Sequence, residues 1–275
     1  MAELDRDYWN DVAGKRWAAS QEQMDEVLHA YAETLREAAT LPPKGVLVDV
    51  GCGCGATTLL AQEQSPHADI IAVDVSRPML DVAKRRAIAR GGPNVRFVLG
   101  DAATEQIPEA SVDRIISRFG VMFFADPAAA FSHMRNWLKP SGKAVFVVWA
   151  TREENPWMTE MVSVIGKHIE LPTPDPEAPG PFTLGNTEKR RSIFERAGYS
   201  AIEELTIDSP VRITGSMDDL MRFYGERGPV SQALSEAPET QREAALGALR
   251  QHVESLYDGA GVSLPAKAIR VTLSK

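Results

Sequence analysis

The chain is poor in cysteine and has no long apolar segment. Its 275 residues include two cysteines, Cys52 and Cys54, with a single residue between them. Cysteines this close cannot easily bridge each other, so the sequence predicts neither a disulfide framework nor a cysteine-based zinc site. No apolar run is long enough to span a bilayer, and residues 1–9 lack the apolar core of a signal peptide. We therefore expect a cytoplasmic protein that does not associate with a membrane.

Positive charge is also in short supply. There are 30 lysine and arginine residues against 38 aspartate and glutamate residues, which gives a net charge of −8 and a pI of about 5.3. A protein that holds a phosphate backbone by its electrostatic field is usually basic, so nucleic acid is disfavoured as a partner. We expect a small-molecule substrate and a monomer or homodimer.

Strand and helix patterns alternate along the first half of the chain. Short apolar runs predict strands at Val46–Val50, Ile70–Val73, Val95–Leu99, Val112–Ser117 and Ala144–Trp149. Helical patterns separate most of these runs, and the connecting segments are short. This alternation predicts a parallel sheet with helices on both faces, which is a doubly wound α/β fold. The runs are apolar throughout, as in strands that are covered on both faces.

The pattern changes after Trp149. Further strands are predicted at residues 202–213 and 269–273. Helical stretches surround the first of these strands, and residues 171–181 contain five prolines, which excludes regular structure there. The second half of the chain therefore completes the sheet and adds helical segments to it.

A glycine-rich segment directly follows the first predicted strand, in the order Asp49-Val50-Gly51-Cys52-Gly53-Cys54-Gly55. Glycine lets the backbone turn tightly and approach a ligand, and the N-terminus of the next helix favours an anionic group. Gly51, Gly53 and Ala56 also fit the dinucleotide pattern G-x-G-x-x-A. The glycines alone therefore do not identify the ligand. The two cysteines are adequately explained as small residues packed in a tight loop.

Three acidic residues at strand ends help to identify the ligand. Asp49 would be unfavourable beside a pyrophosphate and is suited to an ammonium group, although it could instead cap the next helix. Asp74 ends the second strand, where a carboxylate can accept both hydroxyls of a ribose, which alone suits either cofactor. Asp101 ends the third strand, where it can accept a hydrogen bond from an adenine amino group. Together these acids favour an adenosine cofactor that carries an aminoacyl group.

Four segments, in this order, resemble the successive motifs of the class I S-adenosylmethionine-dependent methyltransferases: Asp49–Gly55, Val73–Ser76, Gly100–Ala102 and Leu138–Gly142. The resemblance is to the small-molecule branch related to the ubiquinone and menaquinone enzymes, and it covers about residues 40–150. It implies S-adenosylmethionine as the cofactor and methyl transfer, by in-line displacement, to an O, N, C or S nucleophile of a small molecule. It also implies a Rossmann-like, mostly parallel, seven-stranded sheet whose last strand is antiparallel. Ser141 stands where this family often has glycine.

The resemblance also suggests how the chain is organised. Residues 1–40 would form N-terminal helices that cover the cofactor, and residues 41–150 would form the S-adenosylmethionine-binding core. Residues 151–275 would complete the sheet and add helical cap insertions that form the substrate pocket. A helical linker without a catalytic role is the alternative interpretation of the cap.

Individual residues acquire roles from the same resemblance. Those expected to contact the cofactor are Trp17, Asp49, Gly51, Cys52, Gly53, Asp74, Val75, Met79, Asp101, Ala102, Ser117 and Arg118, with Tyr8 and Trp9 as further aromatic candidates. Arg118 would lie near the sulfonium, where it either holds an acidic group of the acceptor or balances charge near the cofactor carboxylate. Among the five histidines, His29 on the N-terminal helix is the candidate general base.

Apolar side chains are the candidates for acceptor binding. Met122, Phe123 and Phe124 follow the fourth strand, at the edge where ligands bind in open α/β sheets. They either line an acceptor pocket or pack the core. Trp149 at the end of the fifth strand and Trp157 shortly after it are candidates to face the acceptor.

Three other functions fit parts of the sequence. An NAD(P)-dependent oxidoreductase would share the glycine pattern, but Asp49 and Asp101 count against it. A non-catalytic S-adenosylmethionine-binding module would share the core, although the residues beyond the core favour a substrate pocket. Methylation of tRNA or protein is disfavoured by the acidic charge balance. Methylation of nucleobase amino groups lacks its Asn-Pro-Pro-Tyr type of motif, since the fourth strand ends in Ser117-Arg118-Phe119-Gly120.

Overall fold

The computed structural model describes residues 7–91, 94–172, 175, 178–226 and 228–275. The chain divides into two compact units. The first consists of the chain up to Ala150, Pro179–Ile207 and Ala268–Lys275, and the second of Thr151–Ala178 and Asp208–Lys267. This division differs from the three consecutive regions expected from the sequence, because the chain returns twice to the first unit after Ala150.

The strands of the described residues are β1 (Val46–Val50), β2 (Asp69–Asp74), β3 (Val95–Leu99), β4 (Val112–Arg118), β5 (Leu138–Trp149), β6 (Ala201–Asp208), β7 (Val211–Thr214), β8 (Gly261–Leu264) and β9 (Lys267–Ser274). Seven of them form one sheet in the order β3-β2-β1-β4-β5-β9-β6. β1 pairs in parallel with β2 and β4, as β2 does with β3 and β4 with β5. β9 is antiparallel to β5. The predicted doubly wound α/β fold with an antiparallel last strand is therefore confirmed.

The helices of the described residues are α1 (Val12–Ala19), α2 (Gln21–Val27), α3 (His29–Glu33), α4 (Ala56–Gln64), α5 (Arg77–Ala89), α6 (Pro127–Trp137), α7 (Pro156–Ile165), α8 (Thr187–Arg196), α9 (Met217–Gly225), α10 (Gly228–Glu236) and α11 (Glu239–Leu256). In α5, α6 and α7 a proline stands in the first turn, where its missing N–H costs nothing. Asp126 caps α6 by accepting a hydrogen bond from the Ala129 N–H. Helices pack against the sheet, so apolar strand residues such as Leu47, Ile70 and Ile115 are no more than 1% exposed.

The order of the strands positions the candidate site. β2 and β3 lie on one side of β1, whereas β4 and β5 lie on the other. In an open α/β sheet, the carboxyl ends of the strands form a ligand crevice where the strand order reverses. The loops that follow β1, β2, β3 and β4 all emerge at this edge. The acidic and glycine-rich segments of the sequence therefore meet there.

Apart from shifts of one or two residues at strand ends, the strands differ from the prediction in three ways. The strand predicted at residues 202–213 is interrupted at Pro210, whose missing N–H cannot join a ladder, so that β6 and β7 are separate. β7 pairs with β8 in a two-stranded antiparallel sheet, and β8 was not predicted because its four residues are too few for a recognisable pattern. β5 begins at Leu138 rather than Ala144, because Leu138 already pairs with Val112 before a shift in register.

The second unit is mainly helical. In it α7 packs against α11, and His252 Nε2 of α11 lies 2.7 Å from Glu160 Oε1 of α7. Ser216 and Asp219 form a reciprocal capping box that begins α9. No helix in the described ranges is both long and apolar enough to cross a bilayer.

Arg190 organises the part of the first unit that follows the proline-rich segment. Its side chain is 1% exposed and bonds Glu204 of β6 through two parallel N–H groups, Nε to Oε1 and Nη2 to Oε2, both at 3.0 Å. Nη1 also donates to the carbonyls of Leu184 and Gly185 at 2.8 and 3.0 Å. Nη2 additionally reaches the Thr187 hydroxyl at 3.3 Å. A buried cation is tolerated here because its donors are used.

We expect Arg190→Met to lower the free energy of unfolding by about 3 kcal/mol, because it leaves Glu204 and two carbonyls without their partner. Arg191→Met is the matched control, since Arg191 is 43% exposed and lies 4.0 Å from the same carboxylate. Its effect should stay within about 0.5 kcal/mol. Urea unfolding followed by circular dichroism measures both. Equal losses in the two variants would contradict the assignment of Arg190 as the organising residue.

Candidate functional site

A left-handed glycine turn follows β1. Gly51, Gly53 and Gly55 have φ angles of +63°, +54° and +86°, a region that residues with a Cβ rarely adopt. The N–H groups of Gly51 and Cys52 both donate to the Val73 carbonyl of β2, at 2.9 and 3.1 Å. The turn is thereby held against the end of the neighbouring strand.

The backbone of this turn touches the loop that follows β4. A Cβ placed on Gly51 would lie 2.6 Å from Gly120 Cα, and one on Gly120 would lie 2.7 Å from Gly51 Cα. Neither position has room for a side chain. Ser117, at the end of β4, is fully buried and accepts a hydrogen bond from the Gly120 N–H at 3.2 Å. The loops on the two sides of the strand-order reversal are therefore in direct contact.

Asp49 is a fully buried carboxylate beneath the glycine turn. Its Oδ2 accepts hydrogen bonds from the hydroxyls of Thr57 and Thr58 at 2.7 and 2.6 Å. Its Oδ1 is also buried and has no hydrogen-bond partner among the described residues. Burial raises the pKa of Asp49 to about 6, against the opposing effects of the two hydroxyls and of Arg118. Asp49 makes no capping bond to the backbone of α4, so the alternative of a helix cap is not what the side chain does.

Asp74 ties the first two loops together. Its Oδ2 accepts from the Gly53 N–H at 2.7 Å, and its Oδ1 accepts from the Ser76 N–H at 2.8 Å. The residue is 9% exposed, and burial raises its pKa although these backbone bonds oppose the shift. Each carboxylate oxygen can accept more than one hydrogen bond, so both retain capacity for a ligand hydroxyl.

The third loop is joined to the second. The Gly100 N–H donates to the Asp74 carbonyl at 3.0 Å, and Asp101 Oδ1 accepts from the Ala103 N–H at 2.8 Å. Asp101 is half-buried and Ala102 is buried. The sequence-predicted set Asp49, Asp74 and Asp101 therefore lies at successive strand ends, with the second and third loops directly hydrogen-bonded.

Apolar candidates lie beside this loop system. Met79 of α5 is buried, and its Cε would lie 2.8 Å from a Cβ on Gly53. Val75 is half-buried and follows Asp74 directly. Cys52 is buried, and burial raises the pKa of its thiol well above the ordinary range, while burial raises that of Cys54 to about 12. Both cysteines are therefore thiols at neutral pH, in keeping with small residues packed in a tight loop.

Part of the N-terminal segment is bound to the second loop. Trp9 contributes its carbonyl to the Ser76 hydroxyl at 2.7 Å, and Asn10 Nδ2 donates to the Val75 carbonyl at 2.8 Å. The Trp9 ring meets Phe123 edge to face, with 5.5 Å between centroids. Trp17 is half-buried on α1, a helix that packs against α5, whereas the Tyr8 side chain is exposed. That these aromatic residues cover a cofactor stays a prediction.

A charged cluster that the sequence did not reveal lies beside the glycine turn. Arg86 of α5 donates Nη1 to the Cys54 carbonyl and Nη2 to Asp25 of α2. Arg118, at the end of β4, donates Nη1 to the Leu28 carbonyl at 3.2 Å, and its Nη2 lies 4.0 Å from Asp25 Oδ1. A signal was available, because Arg86 shares the buried face of α5 with Met79 at helical spacing, and a cation there needs a partner.

An aromatic cluster occupies the ends of β4 and β5. Phe119 has a φ of +62°, and its ring stacks on that of Trp149 with centroids 3.9 Å apart and planes 7° apart. Tyr31 of α3 meets both rings edge to face. Met122 is buried, and its sulfur accepts from the Trp149 N–H at 3.5 Å. Tyr31 and Phe119 were not predicted from the sequence, because a bulky residue held at positive φ is uncommon and only the structure reveals it.

Three sequence candidates lie apart from these contacts. Phe124 packs its ring against Phe131, a fully buried residue of α6, which is the core-packing alternative. His29 has a side chain that is 71% exposed and lies 4.0 Å from Glu33 one turn along α3, a position that argues against its role as general base. Trp157 belongs to the second unit, where its backbone N–H donates to the Pro265 carbonyl, and its contact with an acceptor stays a prediction.

Comparison with known proteins identifies related sequences. Residues 47–142 match the sequence model of a family described as "Methyltransferase domain". A malonyl-[acyl-carrier protein] O-methyltransferase of Paenibacillus sp. is 26% identical over 67% of this chain and 68% of its own length. A demethylmenaquinone methyltransferase of Thermus thermophilus is 36% identical over 38% of this chain, which spans 46% of that relative.

Solved structures share the fold. The YcgJ protein of Bacillus subtilis aligns with a TM-score of 0.60 at 23% identity, covering 90% of this chain and 98% of its own. A phosphoethanolamine N-methyltransferase of Haemonchus contortus, in complex with S-adenosyl-L-methionine, aligns with a TM-score of 0.60 at 16% identity, covering 98% of this chain and 59% of its own. At these identities the likeness concerns the architecture of the sheet and its helices.

The contact between Gly51 and Gly120 generates a stability prediction. Gly51→Ala should lower the free energy of unfolding by about 3 kcal/mol, because the new Cβ adds a backbone overlap to the cost of a positive φ. Gly91→Ala is the matched control, since Gly91 has a φ of +69° and nothing within 4 Å of the added Cβ. It should cost about 1 kcal/mol. Urea unfolding would contradict the prediction if the two variants lost the same stability.

Proposed function

We propose that this chain is a class I S-adenosylmethionine-dependent methyltransferase that transfers a methyl group to a small-molecule acceptor with an apolar portion. The match of residues 47–142 to a methyltransferase-domain family and the likeness to methyltransferase relatives support this proposal. The observation that supports this function best is the buried Asp49, whose Oδ1 lacks a partner among the described residues. A buried charged oxygen without a partner is costly, so the site calls for a cationic group.

The described residues fit this cofactor. Its amino-acid end carries an ammonium group that would satisfy Asp49 Oδ1. Its ribose hydroxyls match the free acceptor capacity of Asp74, and Asp101 stands at the next strand end to receive its adenine. The turn around Gly51 has no side chain to obstruct the approach of the ligand to the backbone.

The chain contributes binding, orientation and exclusion of water. S-adenosylmethionine supplies a methyl group that its sulfonium sulfur has already activated. Asp49, Asp74 and the glycine turn would fix the cofactor, and we propose that Met122, Phe123 and Trp149 hold an apolar part of the acceptor nearby. Correct orientation supplies much of the rate of such a displacement, and apolar surroundings keep water away from it.

A nicotinamide dinucleotide fits the same turn less well. Its pyrophosphate would bring negative charge close to the buried carboxylate of Asp49. The two side chains that donate hydrogen bonds to this carboxylate are threonine hydroxyls, which are neutral. Both charges would then be held in a medium of low dielectric constant, where repulsion is strong. The ammonium group at the amino-acid end of S-adenosylmethionine removes this conflict.

The proposal includes the cellular compartment, the class of acceptor and the oligomeric state. We place it in the cytoplasm, where the free thiols of Cys52 and Cys54 are compatible with a reducing environment. The net charge of −8 supports a small-molecule acceptor over nucleic acid. The chain would act as a monomer or homodimer.

Calorimetry with S-adenosylhomocysteine, the demethylated product, tests this function. The product should bind and NADH should not. Asp74→Ala should weaken product binding by about 2 kcal/mol, because two hydrogen bonds to a charged group are lost. Asp69→Asn is the control, since Asp69 is an exposed residue at the opposite end of β2. Tight binding of NADH without binding of the product would refute the proposal.

Ionised Asp49 should strengthen the binding of the cofactor and lower the stability of the ligand-free chain. Its pKa of about 6 in the folded chain exceeds the ordinary 3.8, so the folded state holds the proton more tightly than the unfolded state. Stability is therefore lost as pH rises from about 4 to about 6, by at most about 3 kcal/mol. Above pH 6, Asp49→Asn should raise the stability of the ligand-free chain and weaken the binding of S-adenosylhomocysteine. Thermal unfolding and calorimetry at pH 5 and pH 8 measure the two effects, and a variant that is less stable at pH 8 would oppose this account.

A further inference from the structure

Exposed cations are concentrated on α5. Residues 77–90 contain five basic residues and one acidic residue, a net charge of +4, so that the rest of the chain carries −12 (−8 − 4). Arg77, Lys84 and Arg85 are exposed, and spacings of seven and eight residues place them on one face of the helix. We call these three residues the basic stripe. None of them forms an ion pair with a described residue, whereas Arg86, whose side chain is 22% exposed, does.

Large apolar side chains are exposed beside the basic stripe. Ile88 stands eleven residues after Arg77, so it belongs to the same face of α5, and it is 77% exposed. Leu99 at the end of β3 is 42% exposed. Two residues before it, Phe97 packs with Leu80 of α5, so Leu99 belongs to the face of its strand that α5 covers.

Tyr8 extends this region at the start of α5. Its side chain is 50% exposed, and the carbonyl of the adjacent Trp9 accepts a hydrogen bond from the hydroxyl of Ser76, directly before the helix. Leu205 of β6 is the other large hydrophobic residue that is exposed within the described ranges. Three of these four side chains therefore lie on α5 or beside it. Exposed apolar groups among polar ones are typical of an interaction surface.

We propose that this region binds the surface of an anionic lipid bilayer. The α5 surface, as we call it, consists of Tyr8, Arg77, Lys84, Arg85, Ile88 and Leu99. Lysine and arginine are attracted by the negative potential of an anionic leaflet. Apolar side chains on a surface-bound helix insert at the boundary between headgroups and acyl chains. The α5 surface supplies both kinds of group.

The sequence-based expectation that the chain does not associate with a membrane rested on the lack of a long apolar run and of a signal peptide. Such a run is needed to cross a bilayer, but a helix can lie on one without it. Contact with a lipid surface is therefore compatible with the composition of the chain.

Other macromolecules fit the α5 surface less well. A protein partner would bury one contiguous apolar core, whereas Tyr8, Ile88 and Leu99 come from three segments, and the exposed Asp81 lies among the cations. A nucleic acid would use the cations and leave the apolar side chains in water. A second copy of the chain, related by a two-fold axis through this surface, would bring the basic stripe against itself. A bilayer has no fixed shape, so it accepts separate apolar side chains one by one.

The α5 surface begins beside the candidate cofactor crevice. Arg77 directly follows Ser76, whose backbone N–H donates to Asp74 Oδ1 at 2.8 Å. A chain that lies on lipid by this surface would hold the crevice close to the bilayer, where an acceptor with an apolar portion dissolves. The supply of the acceptor from the bilayer rests on the proposed function, whereas the lipid contact itself does not.

Sedimentation of the full chain with vesicles tests the lipid contact. Vesicles of phosphatidylcholine with about a quarter of phosphatidylglycerol should bind the chain, and pure phosphatidylcholine should bind it about tenfold more weakly or less. Raising the salt from about 0.05 M to about 0.5 M should release the chain from the anionic vesicles, because salt screens its cations. Lys84→Gln combined with Arg85→Gln should weaken binding by about twentyfold, at about fivefold for each cation. Ile88→Ser should weaken it by about fivefold, because less apolar surface enters the bilayer.

Matched control variants change the same properties elsewhere in the first unit. Lys143→Gln combined with Arg196→Gln removes two exposed cations from β5 and α8, so the net charge changes by the same amount. Leu205→Ser removes an exposed apolar side chain from β6. Both controls should bind the anionic vesicles like the wild type. All variants should bind S-adenosylhomocysteine with unchanged affinity in calorimetry, because their substitutions lie outside the crevice.

Several outcomes would overturn the lipid contact. The wild type could fail to bind the anionic vesicles, or the variants of the basic stripe could bind them as tightly as the wild type. Equal weakening in the control pair would trace the effect to net charge alone. Binding of poly-L-glutamate or of RNA, without binding of vesicles, would assign the basic stripe to an acidic protein or to a nucleic acid instead. If the vesicles bind but S-adenosylhomocysteine does not, the proposed function fails while the lipid contact stands.

Discussion

The contact between the backbones of Gly51 and Gly120 is the constraint on which the rest of the site depends. It joins the loop after β1 to the loop after β4, across the point where the strand order reverses. β1 and β4 pair in parallel, so Asp49 and Arg118 come from strands that end side by side. Asp74 then fixes the turn from the other direction by accepting the Gly53 N–H. The crevice is thus built mainly by backbone groups, and side chains supply its charge.

The sequence predicted those parts of the site that have a local sequence pattern. Strands buried on both faces are continuous apolar runs, so β1 to β4 and the acids at their carboxyl ends could be located from the sequence. The glycine turn was equally legible, because only glycine suits its positive φ angles. The fold as a whole follows from the alternation of these elements, and the structure confirms it.

Features that depend on long-range contacts could not be read in this way. Asp25, Arg86 and Arg118 are separated by 61 and 32 positions in the chain (86 − 25 and 118 − 86), and no local spacing brings them together. The left-handed backbone of Phe119 and its stacking on Trp149 depend on β4 and β5 being neighbours. Pro210 is visible in the sequence, but its effect appears only in the structure, where β6 and β7 belong to different sheets. The exposure of His29 likewise depends on which face of α3 is buried.

The chain returns twice to its first unit, and this arrangement has an evolutionary consequence. The chain leaves that unit after Ala150 and after Ile207, and re-enters it at Pro179 and Ala268. Both departures lie at the ends of strands, directly after β5 and at the last residues of β6. Insertions, deletions and replacements within the second unit can therefore accumulate without altering the pairing register of the seven strands. Lineages descended from one ancestor could diversify this unit rapidly while the glycine turn and its acids stay under constant selection.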